Sequence, residues 1–174
     1  MARLRSVFSF PNPVNEKAAR TVAGGVVVLS VAAIVLGLLG QAWLLVLIAA
    51  GFWARVLTGP TLSPLGQFAV RVVAPRLGPP TYVAGPPKRF AQGVGVAFSC
   101  TAVLLWFGFG LHTAALVVMG MLSAAAFLES AFGYCLGCKV FALLIKAGVI
   151  PQDVCEACAD VTLRHPDLRD RATA

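Results

Sequence analysis

Residues 21–57 read TVAGGVVVLSVAAIVLGLLGQAWLLVLIAAGFWARVL, an apolar run with one charge, Arg55, in its whole length. A helix rises about 1.5 Å per residue and the hydrocarbon core of a bilayer is about 30 Å thick, so this run is too long for one crossing. Gly37, Gly40 and Gln41 supply a natural break. The run therefore divides into Thr21–Leu39 and Ala42–Leu57, a tight helical hairpin that crosses and returns. The second segment is short, and Arg55 has to snorkel toward the interface for it to span.

The same pattern recurs downstream. Phe90–Phe109 and Leu111–Phe132 are apolar, with Gly108, Gly110 and His112 marking the turn between them. The composition agrees: of 174 residues, 59% are hydrophobic and 12% charged, and mean hydropathy is +0.85. Soluble domains carry about 25% charged residues. The expected class is an all-α membrane protein with four transmembrane helices in two hairpins, at residues 21–57 and 90–132. Residues 1–20 precede the first crossing. They do not read as a signal peptide, because Pro11, Asn12, Pro13, Asn15, Glu16 and Lys17 interrupt before any long apolar run.

Residues 58–89, between the hairpins, hold Pro60, Pro64, Pro75, Pro79, Pro80, Pro86 and Pro87, seven of the eleven prolines. Pro64–Val73 is expected to form a short interfacial helix with Leu65, Phe68 and Val72 on one side. Leu77–Pro87 is expected to be irregular, being proline-dense.

Charge orients the chain. The 14 Lys and Arg residues fall in three groups: before the first span, at or between the ends of spans two and three, and after span four. The two remaining turns hold none. The positive-inside rule then puts both termini and the long loop in the cytoplasm. It also accounts for the net charge of +7. The cations form no aromatic-interleaved basic patch, so nucleic acid is not an expected partner. The expected partner surface is the lipid bilayer.

The tail, residues 133–174, carries the clearest chemistry. Cys135 and Cys138, then Cys155 and Cys158, make the pattern C-x2-C-x16-C-x2-C. Four thiolates at this spacing suit one tetrahedral ion, zinc by preference, and Gly137 lets the first pair turn both sulfurs toward it. On that reading Lys139–Ala147 is a helix joining the pairs, and the tail is a metal-stabilised module that docks a soluble partner. The same cysteines suit dithiol redox or sulfur transfer. The cytosol disfavours static disulfides, so both readings start from reduced thiols. On the redox reading Cys135 attacks, Cys138 resolves, and a helix N-terminus with Lys139 lowers the nearby thiol pKa. The partner would be a thioredoxin-like or rhodanese-like protein. No βαβ pattern flanks either pair, so the chain itself is not expected to have a thioredoxin fold. A small transporter is a third class. With four spans and one buried acid, it would require a homo-oligomer.

Other residues read more plainly. Glu129 is the only acid expected inside a span, and the expected arrangement pairs it with Arg55 at similar depth. Two further roles for Glu129 are a proton or substrate site and a hydrogen bond that caps the cysteine site. Cys100 reads as a core residue and His112 as a solvated turn residue. Gly120 and Ala124 make a small-xxx-small pair for close packing, within the chain or between protomers. No Ser-His-Asp set, P-loop or dinucleotide fingerprint is present.

Three stretches together carry a resemblance: Ala74–Pro80, Phe90–Gly95, and the run from Ala124 to Cys138, AAAFLESAFGYCLGC. They resemble the bacterial integral-membrane family known as domain of unknown function 4395, over roughly Asn12 to Ala147. The family's aromatic-Cys-Leu-Gly-Cys signature maps onto Tyr134, Cys135, Leu136, Gly137 and Cys138. Many members have a small residue, often Asn, where this chain has Glu129. The resemblance implies a bacterial cytoplasmic-membrane location and a cytoplasmic Cys-x-x-Cys. Its association with thiol and sulfur-transfer proteins favours the redox reading. Because many relatives stop soon after the first pair, a four-cysteine metal site is not what the family shares. For this chain the x16 spacing and Gly137 keep the zinc site as the first reading and the dithiol as the alternative.

Overall fold

The computed structural model describes residues 12–149. Helix α1 spans Glu16–Leu38. Asn15 caps it, accepting from the Lys17 amide at 3.0 Å, and Glu16 places negative charge at the positive end of the helix dipole. These polar residues start the helix five residues before the apolar run does. Helix α2 covers Trp43–Thr58. Between the two, Gly40 takes a φ of +79°, which lets the chain reverse.

The proline-rich connection is more ordered than expected. Helix α3, Pro64–Phe68, is capped by Ser63, whose Oγ accepts from the Gly66 amide. It continues through a π turn at Ala69–Val73 and a 3-10 turn at Ala74–Leu77, so the interfacial segment runs four residues past Val73. Pro75 has no N–H to donate, and the coil tightens around it. Strand β1, Val14–Asn15, pairs antiparallel with strand β2, Tyr82–Val83, with Val14 opposite Val83. Helix α4 then begins at Gly85 and runs to Val103, continuing as a π turn to Gly108. Leu77–Pro87 is thus not irregular throughout, and the second hairpin starts before Phe90. Pro86 and Pro87 sit in the first turn of α4, where a missing N–H costs nothing.

Helix α5 spans His112–Phe132, and a last helix, α6, spans Leu136–Lys146. Helices α1, α5 and the α4 segment Gly85–Gly108 are long and apolar enough to cross a membrane; α2, at 16 residues, is a shorter apolar helix.

The four long helices close a ring in the order α1, α5, α4, α2. Two contacts set the directions. Arg20, near the start of α1, donates to the carbonyls of Ser130 and Ala131 at the end of α5. Arg55, near the end of α2, donates to Gln92 near the start of α4. The open ends of both hairpins therefore share one end of the bundle, and both hairpin turns lie at the other. Leu45, Ile48, Phe52, Met119 and Leu122 fill the interior. Val28, Val35, Leu47, Leu104, Val117 and Met121 face outward. Helices apolar on both the inner and outer faces belong in lipid.

Gly120 meets no neighbour within 4 Å, so it makes no close helix approach among the described residues. His112 is exposed but stacks on Trp106, with ring centroids 4.3 Å apart. Trp53 donates its indole N–H to Cys100 Sγ at 3.4 Å.

Candidate functional site

The short link from α5 to α6 brings the first cysteine pair against the open end of the bundle. Gly133 ends α5 in the left-handed conformation, φ +68°. Its amide and that of Tyr134 bond back to the carbonyls of Glu129 and Leu128, at 3.0 and 3.1 Å. Arg20 satisfies two more terminal carbonyls. With the end of α5 so secured, the chain turns at once into Cys135, the N-cap of α6.

Helix α6 lies on the first turns of α4. A Cβ at Gly137 would stand 2.6 Å from both the Cα and the Cβ of Ala91, so only glycine allows this approach. Phe141 packs on Phe90 with ring centroids 5.5 Å apart, and Phe141 and Ile145 are the buried face of α6. Val140 and Leu143 point away. The expected Lys139–Ala147 helix is present as Leu136–Lys146, starting three residues earlier, with Cys135 as its N-cap and Cys138 in its first turn.

Cys135 is buried, 8% exposed, and Cys138 half-buried. The Cys138 amide donates to Cys135 Sγ at 3.3 Å. The sulfur of Cys135 thus occupies the position where a serine or aspartate oxygen usually caps a helix, at the positive end of the dipole. The two side chains also share a hydrogen bond. A Cys138 thiol donating to Cys135 holds the Cys135 pKa below the ordinary thiol value; burial opposes this, as does Glu129, and Lys88 assists. The same bond, with burial, pushes the Cys138 thiol up. The pair is therefore unequal: Cys135 is the more readily ionised sulfur and Cys138 the less readily ionised one.

The charge beside the thiols is an ion pair. Lys88 Nζ, on the first turn of α4, lies 2.6 Å from Glu129 Oε1, and both side chains are largely buried. Glu129 is thus paired with Lys88 and not with Arg55, and it accepts its hydrogen bond from Lys88, not from a cysteine. Arg55 bonds to Gln92 at 2.9 Å and to Ser63 at 3.5 Å, and lies over the Phe52 ring. The cation nearest in effect to the thiols is Lys88, whereas Lys139 lies over the Tyr134 ring. Sequence reasoning placed Lys88 only as a loop charge. Its four-residue spacing from Gln92, on a helix that starts at Gly85, is the signal that would have put it on the bundle's inner face. A cavity of about 90 Å³ runs inside the bundle from Phe52 and Leu122 to Glu129, Leu136 and Gly137, beneath the start of α6.

Cys155 and Cys158 lie outside the described residues. Among the described residues no group of three or more His, Cys, Asp or Glu side chains gathers as a metal site.

A family model described as a domain of unknown function, DUF4395, matches residues 14–146. That range is most of the chain, and the chain belongs to this family. The matched range includes Cys135, Cys138, Lys88 and Glu129, and ends before Cys155 and Cys158. No curated protein and no solved structure matches the chain.

Proposed function

We propose that this member of the DUF4395 family is a four-span protein of the bacterial cytoplasmic membrane whose Cys135–Cys138 pair exchanges disulfides or sulfane sulfur with a soluble cytoplasmic thiol protein. The observation that carries the reading is the placement of Cys135 as N-cap of α6 with Cys138 in the first turn. That placement gives the two sulfurs different tasks. Cys135, favoured as thiolate, attacks one sulfur of a partner disulfide and displaces the other as a thiolate, forming a mixed disulfide. Cys138 then attacks Cys135 Sγ, its proton passing to a thiolate of the partner. The partner leaves with one thiol and one thiolate, the latter taking its proton from water, and the chain keeps a Cys135–Cys138 disulfide. Two electrons have moved from chain to partner, and the steps reverse when the partner is the reductant.

The topology rests on charge and length. Every described Lys and Arg lies at the open end of the bundle or in the proline-rich connection there, which supports a cytoplasmic open end. Helix α2 is about 24 Å long at 1.5 Å per residue, short of a full core. Its crossing relies on local thinning and on Arg55 at its inner end. Reporters fused at Gly40 and His112 should read as non-cytoplasmic.

Mild oxidant applied to the reduced full-length chain should form a Cys135–Cys138 disulfide that a thioredoxin-like reductant reverses. Failure to form it would remove the dithiol reading. The four-cysteine zinc site stays as the second reading, on the x16 spacing alone. It requires about one zinc per chain, released when any of Cys135, Cys138, Cys155 or Cys158 becomes serine.

A further inference from the structure

Among the described residues the buried guanidinium of Arg55 has no acid beside it. Arg55 is only 6% exposed, and its partners are the neutral Gln92, Ser63 and Phe52. The described residues include two acids, Glu16 and Glu129. Glu129 is taken by Lys88, and Glu16 lies across the bundle end, near Gly133. An isolated charge out of water is expensive unless paired. A guanidinium carries five N–H donors, and here Nε and Nη1 make its two hydrogen bonds, the Nη1 bond a long one. Among the described residues Nη2 has no acceptor, yet no unpartnered polar side-chain atom is sealed in the interior. Nη2 is therefore open to a cavity.

Two cavities meet at this side chain. One, of about 340 Å³, is a cleft at the open end of the bundle lined by Arg55, Lys88, Gln92, Tyr82 and Gly66. The other, also about 340 Å³, is an apolar groove between α1 and α2, lined by Leu29, Leu47, Ile48, Leu62 and Leu65, with Arg55 and Ser63 at its polar end. Leu47 and Leu62 are exposed, so the groove opens on the outer face. Since Lys88 is neutralised by Glu129, the cleft carries one net positive charge. A cation at the junction of a polar cleft and an apolar groove matches a molecule with an anionic head and an acyl chain.

We propose that Arg55 anchors the phosphate of an anionic phospholipid, with Ser63 and Gln92 beside the head and one acyl chain along the groove past Leu62 to Leu47. The site rests on the membrane reading but not on the thiol chemistry. The planar guanidinium can meet two phosphate oxygens at once. Phosphatidylcholine offers the same phosphodiester, but its choline cation offsets that charge and is repelled by Arg55, so the anionic head is favoured.

The test uses the full chain in detergent, with native mass spectrometry and thermal unfolding during titration by phosphatidylglycerol or phosphatidylcholine of matched chains. The wild type should retain phosphatidylglycerol about tenfold more tightly, a factor equivalent to about 1.4 kcal/mol, and be stabilised by it. Arg55→Gln should abolish the preference, and Arg55→Lys should keep part of it. Ala50→Trp fills the groove from its exposed rim without touching the charge, and should weaken phosphatidylglycerol binding even if Arg55→Gln fails to fold. Equal retention of the two lipids by the wild type overturns the proposal, as does an Arg55→Gln chain that keeps the preference or an Ala50→Trp chain that binds as before. Glycerol phosphate that competes as well as the lipid would make the ligand a free oxyanion and overturn the lipid assignment. A lipid preference that emerges only after Asp153, Glu156, Asp160, Asp167 and Asp170 are neutralised would give the site to the chain's own acidic tail.

Discussion

The two ends of this bundle are built from opposite materials. At the closed end, Leu39–Ala42 and Phe109–Leu111 turn the chain with glycine, apolar residues and the neutral Gln41, and no charge. At the open end, four helix termini bring together Arg20, Arg55, Lys88, Glu129 and the Cys135 cap of α6. Membrane hairpins gather charge in this way, because an ion at mid-span is costly and Lys and Arg are biased to one side of the bilayer. The difference teaches that the interior is held by packing and the open end by charge and hydrogen bonds. Substitutions at the two ends should therefore fail for different reasons.

The largest contrast is expected at the ion pair. Lys88→Met or Glu129→Leu alone strands a largely buried charge and should cost about 3 kcal/mol, whereas the double substitution should restore most of it. Thermal unfolding in detergent measures both. A double variant no better than the worse single would show that the pair does not act as a unit.

Next is Gly137→Ala. Its added Cβ meets Ala91 Cα and Cβ at 2.6 Å, so α6 has to lift from α4 at a cost of about 1–3 kcal/mol. Gly120→Ala, in mid-helix with nothing within 4 Å, should instead be neutral or stabilising by up to about 1 kcal/mol. Two glycines behaving alike would erase the distinction between packed and open positions.

Arg20→Ala should cost about 1 kcal/mol, since it leaves the Ser130 and Ala131 carbonyls without their donor. Hydrogen exchange should rise at the α5–α6 link and remain unchanged at Gly40.

The smallest effect is on rate. Cys135 should alkylate at lower pH than an ordinary thiol and Cys138 only at higher pH, because the bond between the two side chains lowers the Cys135 pKa and raises that of Cys138. Lys88→Met removes a charge that lowers the Cys135 pKa, so its alkylation profile should move to higher pH. A profile that moves down would reverse the assigned electrostatics.

Much of this could be read in the residues. The 21–57 run and its Gly40 break foretold the α1–α2 hairpin, because length and hydropathy are one-dimensional properties. The position of the first cysteine pair at a helix start was also legible. The start of α4 was misplaced because Pro86 and Pro87 were read as breakers, when their place in a first turn makes them helix starters. The partner of Glu129 was misassigned for a deeper reason. Depth in a bilayer follows from sequence, but position around the ring does not. Arg55 and Lys88 share a depth, yet α5 packs on α1 and α4, with α2 diagonal to it, so Glu129 meets Lys88 and Arg55 meets Gln92.

The central claim is that Cys135 attacks and Cys138 resolves. It is tested most directly in a full-length chain whose Cys100, Cys155 and Cys158 are serine, incubated with an oxidised thioredoxin-like protein. Adding Cys138→Ser should trap a covalent complex through Cys135, readable by mass spectrometry, and adding Cys135→Ser should trap little or none. Equal trapping by both variants, or none by either, would contradict the account.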